Sequence, residues 1–386
     1  MRILIVLTYY LPHISGLTIY AERLALALAK RGHQVTVLTS QFKKSLPADE
    51  VVEGVRVVRV PVLFRLSKGV IMPSFGSAAR KLIHENDAVM LHLPQFDAAL
   101  AARAGKRERK PTVITYHCDL LMPPGLISKT ANLAVDVMNA LAGKASHRIV
   151  TYTRDYADHS KYLRRFSDKV AIIPPPVVLP KAEPEDVQAF NEAHNPQNRH
   201  PIIGMVARFA SEKGVEVLLN ALPDILEAHP EALVEFVGPY ENIRGEEHYY
   251  ARLKPLIDRY VQSGHWHFTG PLNAMQLAAY YPNLNVHVLP SLNSTEAFGL
   301  VQIEAMMNGV PCVASNLPGV RQPVLVHGMG KIFEIGDSKG LAKAVNEVLQ
   351  NQSAYRRMDP ASFERYTPDA IAAAYEDLFA EIQLSL

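Results

Sequence analysis

Two series of short β-branched and aliphatic runs, each alternating with helical segments and parted by a burst of prolines, constrain this 386-residue chain more than any other feature. In the first series, residues 2–7 and 34–39 read as buried strands. Between them residues 20–30 repeat apolar side chains at helical spacing before Gly32 closes the helix, so the three segments form a βαβ unit. The pattern recurs with strands at residues 88–93, 112–116, 148–151 and 170–173, separated by helical segments such as 129–143 and 154–165. Pro174, Pro175, Pro176, Pro180 and Pro184, with a polar stretch to His200, then break the periodicity. The second series restarts at residues 202–206 and runs through 233–237, 266–268, 286–289, 311–314 and 331–334 before a last helical pattern over 368–386. This predicts an α/β chain of two Rossmann-like parallel-sheet domains. The expected boundaries are 1–175, a linker at 176–200, a second domain at 201–366, and a C-terminal helix at 367–386 packing across the interdomain seam. Open α/β sheets bind ligands at the carboxyl ends of their strands, so the two domains are expected to face a central cleft.

Forty-eight per cent of the residues are hydrophobic and 20% are charged, enough to bury a large core. No apolar run reaches the ~18 residues of a spanning helix, and residues 3–7 are too few for a signal-peptide core, so a cytoplasmic protein is expected. Cys118 and Cys312 lie far apart and build neither a disulfide framework nor a CxxC site; both read as packing residues. A GxGxxG after the opening strand, a Walker lysine motif, HExxH and GxSxG are all absent. Nicotinamide dehydrogenases, P-loop ATPases, zincins and α/β-hydrolases thereby lose their main signatures. His265 and His267 alternate along one strand with no acidic or histidine partner close in sequence, and they read as ordinary strand positions rather than metal ligands.

The net charge of +2 hides an imbalance. Residues 1–170 carry 25 Lys+Arg against 13 Asp+Glu, net +12, and residues 171–386 carry 15 against 25, net −10. The basic half concentrates its charge at Arg103, Lys106, Arg107, Arg109 and Lys110 and again at Lys161, Arg164, Arg165 and Lys169, which suggests an anionic partner. Solvated helix faces are the alternative reading of each cluster.

Chemistry-bearing residues gather at strand-to-helix junctions. The loop after the first strand ends at Gly16, where helix N-terminal amides face a phosphate or a sugar hydroxyl. After residues 202–206, Arg208 and Lys213-Gly214 set two cations on one loop, a pairing that suits a diphosphate leaving group; ion pairs to neighbouring acids are the other reading. The densest segment is Glu296-Ala297-Phe298-Gly299-Leu300 continuing to Glu304-Ala305-Met306. There the amides of Phe298, Gly299 and Leu300 are placed to hold a phosphate, and the carboxylates to accept from sugar hydroxyls. Glu304, flanked by Ile303, Ala305 and Met306, needs a polar partner if it is buried; a surface glutamate on an amphipathic helix is the alternative.

Together with Glu22 and Arg31-Gly32-His33-Gln34-Val35, these segments resemble glycosyltransferase family 4 over nearly the whole chain. The resemblance implies the GT-B fold and a retaining hexosyl transfer that needs no metal or other cofactor. It puts the acceptor on the first domain and a nucleoside diphosphate sugar on the second. It implies that Arg208 and Lys213 meet the donor diphosphate, Glu296 the hydroxyls of the transferred sugar and Glu304 the ribose. His117, in Thr115-Tyr116-His117-Cys118-Asp119, matches the family histidine beside the donor sugar, with a packed loop histidine as the alternative. Three places depart from the family: Ala207 stands where Gly is common, Pro175-Pro176 where Asn-Gly is common, and Gly319-Val320-Arg321-Gln322-Pro323 lacks a glutamate, so no sugar contact is carried onto Gln322. The expected function is hexose transfer to a glycan hydroxyl, lipid-linked or of the cell envelope, by an enzyme that docks on the inner membrane face through its basic half and has no nucleic-acid partner. A nucleotide-sugar epimerase, a phosphorylase of the same fold and a non-catalytic sugar-nucleotide-binding protein are the rival readings.

Overall fold

A computed structural model describes residues 1–66, 69–120 and 126–386, and the chain divides into two compact units, one of residues 1–177 with 365–386 and one of residues 178–364. The first unit contains β1 (Arg2–Val6), β2 (Gln34–Gln41), β3 (Asp49–Val52), β4 (Val55–Pro61), a small ribbon of β5 (Phe64–Leu66) and β6 (Gly69–Ile71), then β7 (Ala88–Leu93), β8 (Thr112–Tyr116), β9 (Arg148–Thr151) and β10 (Val170–Ile172). Eight of these form one sheet in the order β10-β9-β8-β7-β1-β2-β4-β3, parallel except for β3. Its central strands are buried on both faces, which is why they read as continuous apolar runs. Strands β3 and β4, absent from the pattern of apolar runs, form a hairpin turned by Glu53 (φ 50°) and Gly54 (φ 84°).

The second unit contains β11 (Ile202–Val206), β12 (Leu233–Val237), β13 (Trp266–Gly270), β14 (Val286–Leu289), β15 (Cys312–Ser315) and β16 (Gly330–Phe333). They form one parallel sheet in the order β13-β12-β11-β14-β15-β16. Chain order reverses between β11 and β14 here, and between β1 and β7 in the first unit, the switch points at which such sheets bind ligands. The core of the second unit packs Ile203, Met205, Val234, Phe236, Trp266, Val286 and Val288 under the helices Val215–Ala228 and Ser338–Gln350.

Two segments differ from the expected boundaries. The stretch expected as a linker holds a helix, Pro184–His194, which belongs to the second unit and packs on the helix Ala274–Tyr280. Phe190 stacks on His194 at 4.1 Å and meets the edge of Tyr280 at 5.8 Å. Pro184 opens this helix at its first turn, where the missing N–H costs nothing. The C-terminal helix Pro368–Leu384 belongs to the first unit. It buries Ile371, Tyr375, Leu378 and Phe379 and packs against the helix Gly16–Lys30, where the Tyr375 hydroxyl lies 2.8 Å from that of Tyr20 and 2.7 Å from Thr115 Oγ1. Arg31 bridges Asp369 and Glu376 at 2.8 Å each, His33 meets Glu376 at 2.7 Å, and Arg148 pairs with Glu381. Hydrogen bonds and charge from Arg31 hold the Glu376 carboxyl well below the usual carboxylate range. With these acids counted, the units carry 26 Lys+Arg against 17 Asp+Glu and 14 against 21, so the imbalance is +9 and −7 rather than +12 and −10.

Glu235, mid-strand in β12, is a buried carboxyl inside the second sheet. Its Oε2 is buried without a partner among the described residues, beside Gly204 and His267 in the strand register, and burial pushes its pKa up to about 7. Because the folded pKa lies above the unfolded one, this group's contribution to stability is fully present below the ordinary glutamate pKa and is lost as pH rises through 7. Above that the cost is on the order of 3 kcal/mol. Glu235→Gln is expected to raise the melting temperature at pH 8 and to leave it nearly unchanged at pH 4. A melting temperature unaltered at pH 8 contradicts the assignment.

Candidate active site

In the second unit the loops after β11 and β14 lie side by side because those strands are neighbours. Leu292 N–H donates to the Glu212 carbonyl at 2.9 Å and joins the two loops. Gly214 permits the approach: its φ is +72°, and a Cβ there would stand 2.0 Å from the Pro290 carbonyl oxygen. Gly299, at φ +82°, lets the start of the next helix sit against the end of β14, since a Cβ there would fall 2.3 Å from Leu289 Cδ2. Ala207 has no left-handed φ, so alanine is accommodated there without strain.

Arg208, Lys213, Glu296, Phe298, Gly299, Leu300 and Glu304 are thus all on or next to these two loops. Asn293 accepts from Thr295 N–H and Oγ1, and the turn it makes presents Glu296. Glu296 Oε2 accepts from Lys213 Nζ at 2.6 Å, and its Oε1 accepts from Gly299 N–H at 3.1 Å. The carboxylate therefore engages both the lysine and one of the amides that the sequence assigns to a phosphate. Arg208 in turn donates to Glu212. The ion pairs to neighbouring acids, one of the two readings of the sequence, are thus formed by both cations. Burial opposes the Lys213 charge, but the Glu296 charge and hydrogen bond outweigh it and the ammonium pKa is raised.

Glu304 is buried on the helix Leu300–Met307, and the partner its burial demands is the Tyr281 hydroxyl, which donates to Oε2 at 3.1 Å. Burial, then the Glu304 charge, raise the Tyr281 pKa well above its ordinary value and keep that donor protonated. Tyr281 was not legible beforehand, since it reaches Glu304 from another element. Nor was Gln302, whose Nε2 donates to the Phe298 carbonyl at 3.1 Å and the Val320 carbonyl at 2.8 Å, tying the helix start to the loop after β15.

Gly16 and His117 belong to the first unit. Gly16 opens its helix behind Ser15, whose hydroxyl caps Thr18 N–H at 3.2 Å, and a Cβ on Gly16 would meet nothing within 4 Å. His117 follows β8 and is buried, with Nε2 2.8 Å from His92 Nδ1 and Nδ1 bonded to the Tyr152 hydroxyl. Burial, reinforced by His92, pushes its pKa well below the ordinary range, so the ring is neutral.

The described residues hold no group of three His, Cys, Asp or Glu side chains fit for a metal, and none of their helices is long and apolar enough to cross a membrane.

Residues 186–365 match the family described as glycosyl transferases group 1, and residues 14–179 match glycosyltransferase family 4. The chain belongs to the group 1, family 4 glycosyltransferases. A phosphatidyl-myo-inositol mannosyltransferase of Mycobacterium leprae is 26% identical, with 100% of this chain and 98% of that protein aligned. Among solved structures, sucrose-phosphate synthase of Thermosynechococcus elongatus superimposes with a TM-score of 0.77 at 21% identity, covering 100% of both chains. Anabaena HepE in complex with UDP gives 0.77 at 20%, covering 99% of this chain and 100% of that one. This is the GT-B fold, and the enzyme is a glycosyltransferase.

In this glycosyltransferase a diphosphate that takes Lys213 and the Gly299 amide must displace the Glu296 carboxylate. Removing that charge is expected to move binding and turnover in opposite directions. Glu296→Gln should tighten whichever of UDP, GDP or ADP binds, by roughly tenfold, and lower transfer at least as much. Calorimetry reads the first and initial rates the second; weaker nucleotide binding in the variant refutes the competition.

Proposed function

We propose that the enzyme is a retaining, metal-independent hexosyltransferase that moves a sugar from a nucleoside diphosphate to a hydroxyl of a lipid-linked or envelope glycan. The observation that carries this reading is the joining of Arg208, Lys213 and the Gly299 amide at the β11/β14 switch point, with Glu296 and Glu304 beside them. The C1–O bond to the diphosphate breaks as the acceptor oxygen bonds to C1 on the same face, and the acceptor proton passes to the departing phosphate oxygen. Arg208, Lys213 and the amides of Phe298, Gly299 and Leu300 take up the leaving-group charge, a task a divalent metal performs elsewhere. Glu296, released from Lys213, binds hydroxyls of the transferred sugar, and Glu304 the ribose. No resident cofactor takes part.

The lipid-linked acceptor is supported by the name of the mycobacterial relative and by the surface of the first unit. There Arg103, Lys106, Arg107 and Arg109 are exposed on and after the helix Ala98–Arg107, which also exposes Leu100. Leu133 and Val137 are exposed on the helix Leu126–Ala145, packed against it. Within the second basic cluster Lys161, Arg164 and Arg165 are exposed, whereas Lys169 is spent on the carbonyls of Gly143, Lys144 and Ser146. Such a surface suits reversible docking on the anionic cytoplasmic face of a membrane, each basic residue contributing about 1 kcal/mol.

A thermal-shift panel of UDP, GDP and ADP sugars, followed by NMR of the product's anomeric configuration, tests the transfer, since a donor that binds the folded state raises its melting temperature. One stabilising donor, an anomeric linkage like the donor's and activity unaffected by EDTA are expected. An inverted product or restoration of lost activity by a divalent metal overturns the mechanism, and an epimerised donor overturns the assignment of reaction. In liposome sedimentation the protein should bind anionic but not zwitterionic vesicles, and lose binding in high salt and on neutralising Arg103, Lys106 and Arg107 together. Failure to bind anionic vesicles at low salt removes the membrane from the proposal.

A further inference from the structure

His92 lies near the end of β7, fully buried, one strand over from the end of β8 where His117 begins its loop. The two rings are 24° from coplanar with centroids 5.0 Å apart, the separation of an in-plane hydrogen bond between imidazoles, and His92 Nδ1 is 2.8 Å from His117 Nε2. Tyr20 closes the arrangement from the side, edge-on to His117 at 5.0 Å and to His92 at 5.8 Å. Both nitrogens of His117 are therefore committed within the first unit, one to His92 and one to Tyr152.

Each neutral imidazole carries one N–H, so the tautomers of the pair are coupled. If His117 donates through Nε2, His92 must carry its proton on Nε2, and that atom is buried without a partner among the described residues. If His92 donates through Nδ1, its Nε2 is a bare acceptor, and a buried unpaired acceptor is more readily tolerated than a buried unpaired N–H. The second arrangement also makes His117 Nδ1–H the donor to the Tyr152 oxygen.

We propose that His92 is a positioning residue of the transfer reaction, fixing His117 in one plane and in the Nδ1–H tautomer by donating from Nδ1 to His117 Nε2. The inference rests on the reading of His117 as the residue beside the transferred sugar. It assigns His117 no proton to give or take: the pair holds the ring fixed and neutral. Burial, which pushes the His92 pKa down to about 3, agrees with a pair that stays uncharged.

Long-range proton–nitrogen NMR of the labelled full chain should show both His92 and His117 as Nδ1–H tautomers. A His92 proton on Nε2 in the unmodified protein overturns the inference without any variant. In kinetics with whichever of UDP-glucose or GDP-mannose stabilises the protein, His92→Phe should lower kcat about tenfold with donor KM changed less than about twofold, and should release the His117 tautomer. His92→Asn, whose amide N–H can replace Nδ1–H, should recover most of kcat. Wild-type kcat in His92→Phe, or equal loss in both folded variants, refutes the role. If the unmodified enzyme turns over no sugar nucleotide, the proposed function fails, and the tautomers alone decide for or against the histidine pair.

Discussion

The parallel pairing of β11 with β14, Ile203 against Val286 and Gly204 against His287, is the constraint on which the candidate site depends. It brings together the ends of two strands about eighty residues apart in sequence, so that the loop carrying Arg208 and Lys213 meets the loop carrying Glu296. Lys213 is held by Glu296 of the other loop, Arg208 by Glu212 of its own, and the two loops by Leu292 N–H on the Glu212 carbonyl. Gly214, at positive φ, makes the approach sterically feasible. The same logic operates in the first unit, where β7 and β8 carry His92 and His117 to within hydrogen-bond distance.

Charge at this site is balanced from within. Two cations suited to a diphosphate would repel each other and draw in solvent ions if left bare. Here each is neutralised by a carboxylate on the same pair of loops, at side chains about a fifth exposed in the lysine pair. In the proposed reaction the donor binds by exchange of anions rather than by filling an empty positive pocket. That lowers apparent affinity but keeps the loops ordered without substrate, a form of pre-organisation that favours the transition state over the ground state. The histidine pair extends the theme to neutral groups, with hydrogen bonds rather than charges holding the ring.

The C-terminal helix shows how far a distant segment contributes to the first unit. It supplies Asp369, Glu376 and Glu381 to basic partners and Tyr375 to a buried hydroxyl network with Tyr20 and Thr115. Beside it, Val177 N–H donates to the Tyr366 carbonyl at 2.8 Å, so the points at which the chain leaves and re-enters this unit adjoin. The charge imbalance of the first half is thereby lowered from +12 to +9 inside one unit, and most of it remains.

Periodicity, proline placement and the residue types at strand ends were legible without any structure. They located the central strands of both sheets to within a residue or two, and singled out the segments from Arg208 to Gly214 and from Glu296 to Glu304 that carry the resemblance to the family, because each depends on neighbours within one turn or one strand. The hairpin of β3 and β4, the helix behind Pro184 and the destination of the C-terminal helix were not legible. They are settled by turn geometry and by packing between segments far apart in sequence. The same division runs through the site. That Lys213 and Glu296 stand as charged groups after strand ends could be read from the chain, but that they bind each other, that Tyr281 answers Glu304 and that His92 holds His117 followed only from the fold. Burial and hydrogen bonding between strands depend on register and crossover, and a linear pattern of residue types does not contain either.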